Sequence, residues 1–245
     1  MKPEQDAYGR LILEYMETGE GVEIVERDDG FIAASRYGPA FYFAPLRRWV
    51  RAERQAMGLV RGRVLDVGCG AGRVALHLQE RGHEVVAIDL SPLAVEVSRR
   101  RGVRDARELP VTRVGHALGR FDTIVMFGNN FGLMGSRRRA PWLLKRFRSI
   151  ANDGARILAE SVNPYTTEDP EHLEYHERNR RRGRMAGHLR IRIRHRDYKT
   201  PWFDYLLASP EEMAELAQAG GWRLARVIDE GELAYVGVLE PARGG

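Results

Sequence analysis

Apolar positions recur at helical spacing near the amino terminus, where Tyr8, Leu11, Ile12, Tyr15 and Met16 predict a helix from about Glu4 to Thr18. The period then shortens. Val22–Val25 and Phe31–Ala34 are short β-prone runs on either side of Asp28-Asp29-Gly30. Asp-Gly between two such runs predicts a hairpin, because glycine accepts the positive φ of the turn. Pro45 opens a predicted helix to about Met57, with Leu46, Trp49 and Val50 along one side. Residues 1–60 thus read as a helical and hairpin cap ahead of the main domain, residues 61–245.

From Arg63 the pattern changes to short apolar runs that alternate with amphipathic stretches. Strands are predicted at Arg63–Val67, Glu84–Asp89, Val103–Ala106, Phe121–Phe127 and Ala155–Glu160. Between them fall helices at Gly72–Arg81, Pro92–Arg101 and about Arg139–Ile150, the second begun by Ser91 as N-cap. Such alternation predicts an α/β fold with a mostly parallel sheet and helices on both faces. Ser209-Pro210-Glu211-Glu212 marks another helix start, and Gly220-Gly221 its end. Trp222–Ile228 and Leu233–Leu239 complete seven strands; the short turn Asp229-Glu230-Gly231 between them requires an antiparallel last strand.

An insertion, residues 163–208, separates the fifth strand from the last helix. It holds a charged helix, Asp169–Arg182, then an alternating run with Leu189, Ile191, Ile193 and His195 on one face. Arg190, Arg192, Arg194 and Arg196 occupy the other, and Thr200–Leu206 returns as a second strand of an antiparallel hairpin. The arginine stripe has two readings: it binds phosphates or an acidic substrate, or it solubilises one face and protects an exposed strand edge. The second is favoured.

Composition narrows the class. Cys69 is the only cysteine, which excludes an internal disulfide and a cysteine metal cluster, and the histidines show no zinc-ligand spacing. No metal is expected. The formal net charge of +5 comes from arginine, since Lys2, Lys145 and Lys199 are the only lysines. No run approaches the roughly 20 apolar residues that span a bilayer, and the amino terminus is polar. The expectation is a cytoplasmic protein with no membrane partner; the oligomeric state is left open.

The strongest chemical signal is Val64-Leu65-Asp66-Val67-Gly68-Cys69-Gly70-Ala71-Gly72. An apolar strand ends in glycines that permit a sharp turn and close approach of a ligand, and the next helix aims its amides at that point. A nicotinamide loop would follow GxGxxG, with its last glycine where Arg73 stands. GxGxG preceded by Asp66 instead resembles motif I of the class I S-adenosylmethionine-dependent methyltransferases, a Rossmann-like family. The resemblance extends over roughly Arg63 to Leu239. It implies S-adenosyl-L-methionine as cofactor, with Asp66, Gly68, Cys69, Gly70 and Gly72 around its methionine end. Asp89, ending the second strand, matches the family's ribose-binding acid, with Leu90 and Ser91 beside the adenosine. Arg104-Asp105-Ala106-Arg107-Glu108-Leu109-Pro110 is similar to the family's DAxxLP segment, which places Asp105 and Ala106 at the adenine edge. Gly128 and Asn129, after the fourth strand, would border the reactive end. Cys69 reads as a small residue in a crowded corner rather than a nucleophile.

For the acceptor side the residues say less. Asn129 and Asn130 can orient an amine, amide or hydroxyl; Tyr165, Tyr198 and Trp202 are pocket candidates by location; His176 and Asp204 are candidate bases. Asn163-Pro164-Tyr165 is similar to the NPPY motif of amino-methylating enzymes but lacks one proline and follows the fifth strand, so that activity is not carried over. The expected function is methyl transfer to a small-molecule amine or hydroxyl, with cap and insertion forming a lid. The alternatives are an RNA or ribosome methyltransferase using the basic insertion, and a non-catalytic cofactor-binding or regulatory protein of the same fold.

Overall fold

The computed structural model describes residues 1–35, 38–229 and 233–242. Along the chain the elements are α1 (Ala7–Thr18), β1 (Ile24–Arg27), β2 (Ile32–Ala34), α2 (Arg51–Met57), β3 (Val64–Val67), α3 (Arg73–Glu80), β4 (Val85–Asp89), α4 (Pro92–Arg100), β5 (Ala106–Glu108) and β6 (Phe121–Met126). There follow α5 (Arg139–Ser149), β7 (Ala151–Val162), α6 (Pro170–Arg181), β8 (His188–His195), β9 (Tyr198–Lys199), β10 (Phe203–Leu206), α7 (Pro210–Ala219), β11 (Trp222–Ile228) and β12 (Ala234–Pro241). No helix among the described residues is long and apolar enough to cross a membrane.

Seven strands form one sheet in the order β11-β12-β7-β6-β3-β4-β5. β4 pairs parallel with β5 and β6 with β7, while β12 runs antiparallel to both β7 and β11. This is the Rossmann-like arrangement expected, antiparallel last strand included. All four residues of β3 are buried, Asp66 among them, as in a strand covered on both faces. The residues Glu230 and Gly231 of the expected last turn lie outside the described residues.

The chain divides into two units. One comprises Met1–Trp49, Leu65–Arg113 and Arg190–Phe203. Here β1 pairs antiparallel with β2, as the Asp-Gly signal predicts, and its other edge takes β8, with Val25 opposite Ile193 and Glu26 opposite Arg192. The cap hairpin and the insertion therefore share a sheet, a pairing that neither segment's own pattern announces. β8 is not an edge: β1 lies on one side and β9 on the other. The edge-protection account of the arginines is thereby corrected. Arg192 and Arg194 pair with Glu26, and Arg196 and His195 meet the Glu14 carboxylate on α1.

The other unit comprises Val50–Val64, Val114–Leu189 and Asp204–Gly245. Phe121, Ile124, Met126, Phe131, Phe147 and Trp222 are fully buried in it. α5 contributes Ala140, Leu143, Leu144 and Phe147, the i, i+3, i+4, i+7 stripe of a helix laid on a core. α7 begins with the predicted cap as a complete capping box: Ser209 Oγ accepts from the Glu212 amide, and Glu212 Oε2 accepts from the Ser209 amide at 3.0 Å.

Three element boundaries depart from expectation. The predicted helix Pro45–Met57 is broken, because Trp49 and Val50 are extended between a short 3-10 turn and α2, and the Trp49 indole N–H donates to the Ala44 carbonyl at 2.8 Å. β5 starts at Ala106, later than predicted, and Val103 is buried beside Gly72 instead. β7 starts at Ala151 rather than Ala155, because its register with β6 shifts between Phe121 and Thr123, a bulge that admits Asn152-Asp153-Gly154.

Two predictions follow from these contacts. Ser209→Ala removes one half of the capping box and should lower stability by about 1–2 kcal/mol; a urea midpoint equal to the parent's would refute it. Glu14 has its pKa lowered from 4.5 to about 2 by hydrogen bonds from Arg196 and His195. A folded-state pKa below the unfolded one stabilises above the unfolded value and loses that stabilisation as pH falls. The stability gap between the parent and Glu14→Gln should therefore be full above about pH 4.5 and close toward pH 2. Acid titration of thermal stability reads it, and a gap that widens on acidification contradicts it.

Candidate cofactor-binding site

The glycine-rich turn joins β3 to α3 with Gly68, Gly70 and Gly72 all at left-handed φ, +72°, +53° and +78°. The amides of Gly68 and Cys69 donate to the Ile88 carbonyl at 2.8 and 3.0 Å, which ties the turn to β4. A Cβ at Gly72 would stand 2.6 Å from Val103 Cγ2, so only glycine lets α3 pack this closely. Asp66 is buried within β3. Cys69 is buried too, its sulfur 3.7 Å from Ser98 Oγ; burial first, then Asp89 and Asp66, push its thiol far above the usual range. It is not an activated nucleophile. Arg73, where a dinucleotide loop needs glycine, is buried with its guanidinium 4.2 Å from the Phe41 ring centroid and 4.4 Å from that of Trp49.

Asp89 closes the turn from the end of β4. Its Oδ2 accepts from the Gly70 amide and its Oδ1 from the Ser91 amide, both at 2.9 Å. Burial raises its pKa against the two amides, which lower it. Each carboxylate oxygen retains a second lone pair, the acceptor chemistry that a pair of ribose hydroxyls requires. Ser91 caps α4 by accepting from the Ala94 amide at 2.9 Å, and Leu90 is exposed beside it. Ala106 is buried opposite Ala87, its carbonyl taken by Arg99. Asp105 is engaged differently: both carboxylate oxygens accept from Arg107 at 2.7 Å. Asp89, Leu90 and Ser91 lie at the carboxyl end of β4 and the glycine turn at that of β3, the side on which open α/β sheets bind ligands, whereas Asp105 and Ala106 lie at the amino end of β5, level with the middle of β4.

The sequence reading missed what covers the turn. Asp6, before α1, accepts from Ser91 Oγ at 2.8 Å and from the Leu93 amide at 3.2 Å. Arg101 donates to the Ala71 carbonyl, and the Tyr8 ring lies beside Gly70. An Asp followed by an amphipathic helix was a legible N-cap signal; its second partner was not.

In the second unit Gly128 and Asn129 follow β6 with left-handed φ of +71° and +62°. The Gly128 amide donates to Glu160 Oε2 and, at 3.1 Å, to Glu53 Oε1; the Asn129 amide donates to Glu160 Oε2 at 3.1 Å. Both glutamates are buried. Tyr205 donates to the Asn129 carbonyl at 2.6 Å, leaving the Asn129 side-chain oxygen buried without a hydrogen-bond partner among the described residues. Such an acceptor suits an N–H or O–H group of a ligand. Asn130 is half-buried at the start of the next 3-10 turn.

Tyr165 is half exposed and donates to Glu212 Oε1 at 2.7 Å, its pKa raised to about 12 by partial burial and then by that bond. Asn163 accepts from the Tyr165 amide at 3.0 Å, a turn-forming role that accounts for the Asn-Pro-Tyr sequence. His176 is buried on α6, and Asp204 Oδ1 stands 3.5 Å from His188 Nε2. Tyr198 and Trp202 each lie under an arginine, Arg10 at 4.0 Å and Arg192 at 4.6 Å from the ring centroids.

Residues 64–154 match the family model described as a methyltransferase domain. Over 99% of this chain and 98% of the other, the fold matches the crystal structure of a SAM-dependent methyltransferase from Bacteroides fragilis in complex with S-adenosyl-L-homocysteine, with TM-score 0.83 and 28% identity. Magnesium-protoporphyrin O-methyltransferase of Rhodobacter capsulatus is 39% identical over 67 residues, 26% of this chain and 30% of that protein. Ubiquinone biosynthesis O-methyltransferase of Acinetobacter baylyi is 31% identical over 137 residues, 53% of this chain and 55% of that one. The chain thus spans about a third to a half of the length of these two curated relatives. The matched methyltransferase-domain model, the fold and its likeness to the structure that holds S-adenosyl-L-homocysteine support a class I S-adenosylmethionine-dependent methyltransferase.

The burial of Cys69 makes a prediction. The native protein should resist a thiol-specific disulfide reagent and react fully only after denaturation. Fast labelling of the folded protein would contradict the inert assignment.

Proposed function

We propose that this protein transfers a methyl group from S-adenosylmethionine to a hydroxyl or amine of a small molecule. The observation that carries the cofactor half is the Asp89 carboxylate held between the Gly70 and Ser91 amides, which fixes an acceptor pair beside the glycine turn. When bound, the cofactor supplies a methyl group on a positive sulfur, already activated for displacement. Little acid–base assistance is then needed, and the chain's task is to orient the acceptor and exclude water. Asn129, on a turn held by Glu160, Glu53 and Tyr205, offers a fixed acceptor for the proton of a hydroxyl or amine.

Two considerations support a small acceptor. Both curated relatives named above are O-methyltransferases, which favours oxygen of the two chemistries. In the basic tract Arg178–Arg196 that suggested RNA, Arg192, Arg194 and Arg196 are already paired with Glu26 and Glu14, and Arg180 and Arg181 with Glu177. A phosphate backbone would have to displace those carboxylates.

Calorimetric titration with S-adenosylhomocysteine tests the reading. The parent protein should bind saturably, and Asp89→Ala should bind at least tenfold more weakly while keeping its fold, because two charge-assisted acceptors are lost. Absence of binding by the parent would refute the cofactor assignment. A panel of phenols and amines with labelled cofactor then reads the acceptor, and methylation of RNA alone would refute the small-molecule half.

A further inference from the structure

α1 brings a tyrosine over the cofactor turn. An ideal Cβ at Gly70 would stand 2.5 Å from the Tyr8 hydroxyl, so this phenol hangs over the middle glycine of the turn. Its ring is fixed edge-on against Tyr42, with centroids 5.2 Å apart at 83°. Tyr42 in turn donates to the buried Glu23 carboxylate at 2.9 Å. The Asp6 carboxylate accepts from the Gly9 amide at 3.0 Å while it holds Ser91, so the first turn of α1 is anchored beside the end of β4. The placement of Tyr8 is thus determined from both ends.

Yet among the described residues none hydrogen-bonds the Tyr8 hydroxyl. Tyr8 is half-buried, and its hydroxyl stays open to a group that arrives later. Burial, then the carboxylates of Asp89 and Glu23, keep the phenol neutral. A neutral phenol both donates and accepts. The carboxylates of Asp89 and Glu23 outweigh the opposing Arg73 guanidinium here, so the ligand group electrostatically favoured at this point is a cation.

We propose that Tyr8 is a cofactor-contacting positioning residue whose phenol oxygen accepts from the α-ammonium of the cofactor's methionine end. This rests on the methyltransferase reading of the turn. The nucleoside end is held by Asp89, and α1 from the cap supplies the contact that distinguishes the full cofactor from a nucleoside thioether without its amino acid.

Calorimetry on Tyr8→Phe with two probes tests it. S-adenosylhomocysteine carries the amino-acid end; methylthioadenosine carries the same nucleoside and sulfur without it. The variant should bind S-adenosylhomocysteine roughly tenfold more weakly and methylthioadenosine within about twofold of the parent. The unliganded thermal midpoint should not fall, since no internal hydrogen bond is removed. Equal weakening toward both probes, or none toward either, overturns the proposal and leaves the cofactor reading standing. If the parent binds neither probe, the cofactor reading itself fails and this one with it. The decarboxylated analogue, which keeps the amine, separates the charges: it should be weakened as S-adenosylhomocysteine is, and indifference to the substitution overturns the ammonium assignment.

Discussion

The bonds from the Gly70 and Ser91 amides to Asp89 are the constraint on which the candidate site depends. A carboxylate at a strand end would normally turn to water. Here the glycine turn presents one amide and the start of α4 another, and each charge-assisted bond contributes about 1.5–3 kcal/mol against the cost of partial burial. The arrangement couples β3 to β4 at the point where both strands end. It also orients α4, because Ser91 donates its backbone N–H to Asp89 while its hydroxyl caps the helix and reaches Asp6. Loop, strand and cap helix therefore share one polar cluster.

Most of the frame of that cluster was legible in the chain. Gly68, Gly70 and Gly72 announce positive φ, Asp89 ends a clean apolar run, and Ser91-Pro92 has the residue types of a helix start; each signal is local and arises from backbone geometry that few residues satisfy. What was hidden is nonlocal. Asp6 meets Ser91, Glu26 meets Arg192 and Glu14 meets His195 across 85, 166 and 181 residues. Periodicity says which face of a strand is polar, but not which carboxylate will stand opposite. For the same reason the alternation of β8 was read correctly while its neighbour β1 was not foreseen. Glu53 and Glu160 escaped because an isolated glutamate in a helix or strand has no distinguishing context until the turn it serves is seen.

The ion pairs between cap and insertion have more to do with specification than with strength. Exposed pairs contribute little, about 0–1 kcal/mol each. Glu26, however, accepts from Arg192 with both oxygens, at 2.8 and 2.6 Å, and again from Arg194 at 3.2 Å, opposite it in the β1–β8 register. A slip of one residue would put Arg192 opposite Val25 or Arg27 instead of Glu26 and turn Ile191 and Ile193 outward. The charges thus define the register of a short ladder whose apolar content is modest.

That role limits what else the arginines can do. A stripe free of partners would be an anion site, with the steep salt dependence of phosphate binding. A stripe already matched to Glu14 and Glu26 presents a surface in which each added phosphate must first separate an existing pair, and separation of a bidentate arginine–carboxylate contact sacrifices geometry as well as charge. Arg192, Arg194 and Arg196 therefore serve the joining of cap to insertion. At the end of β6 the fold leaves the Asn129 side-chain oxygen buried and, among the described residues, without a partner, on a turn fixed by Glu53, Glu160 and Tyr205.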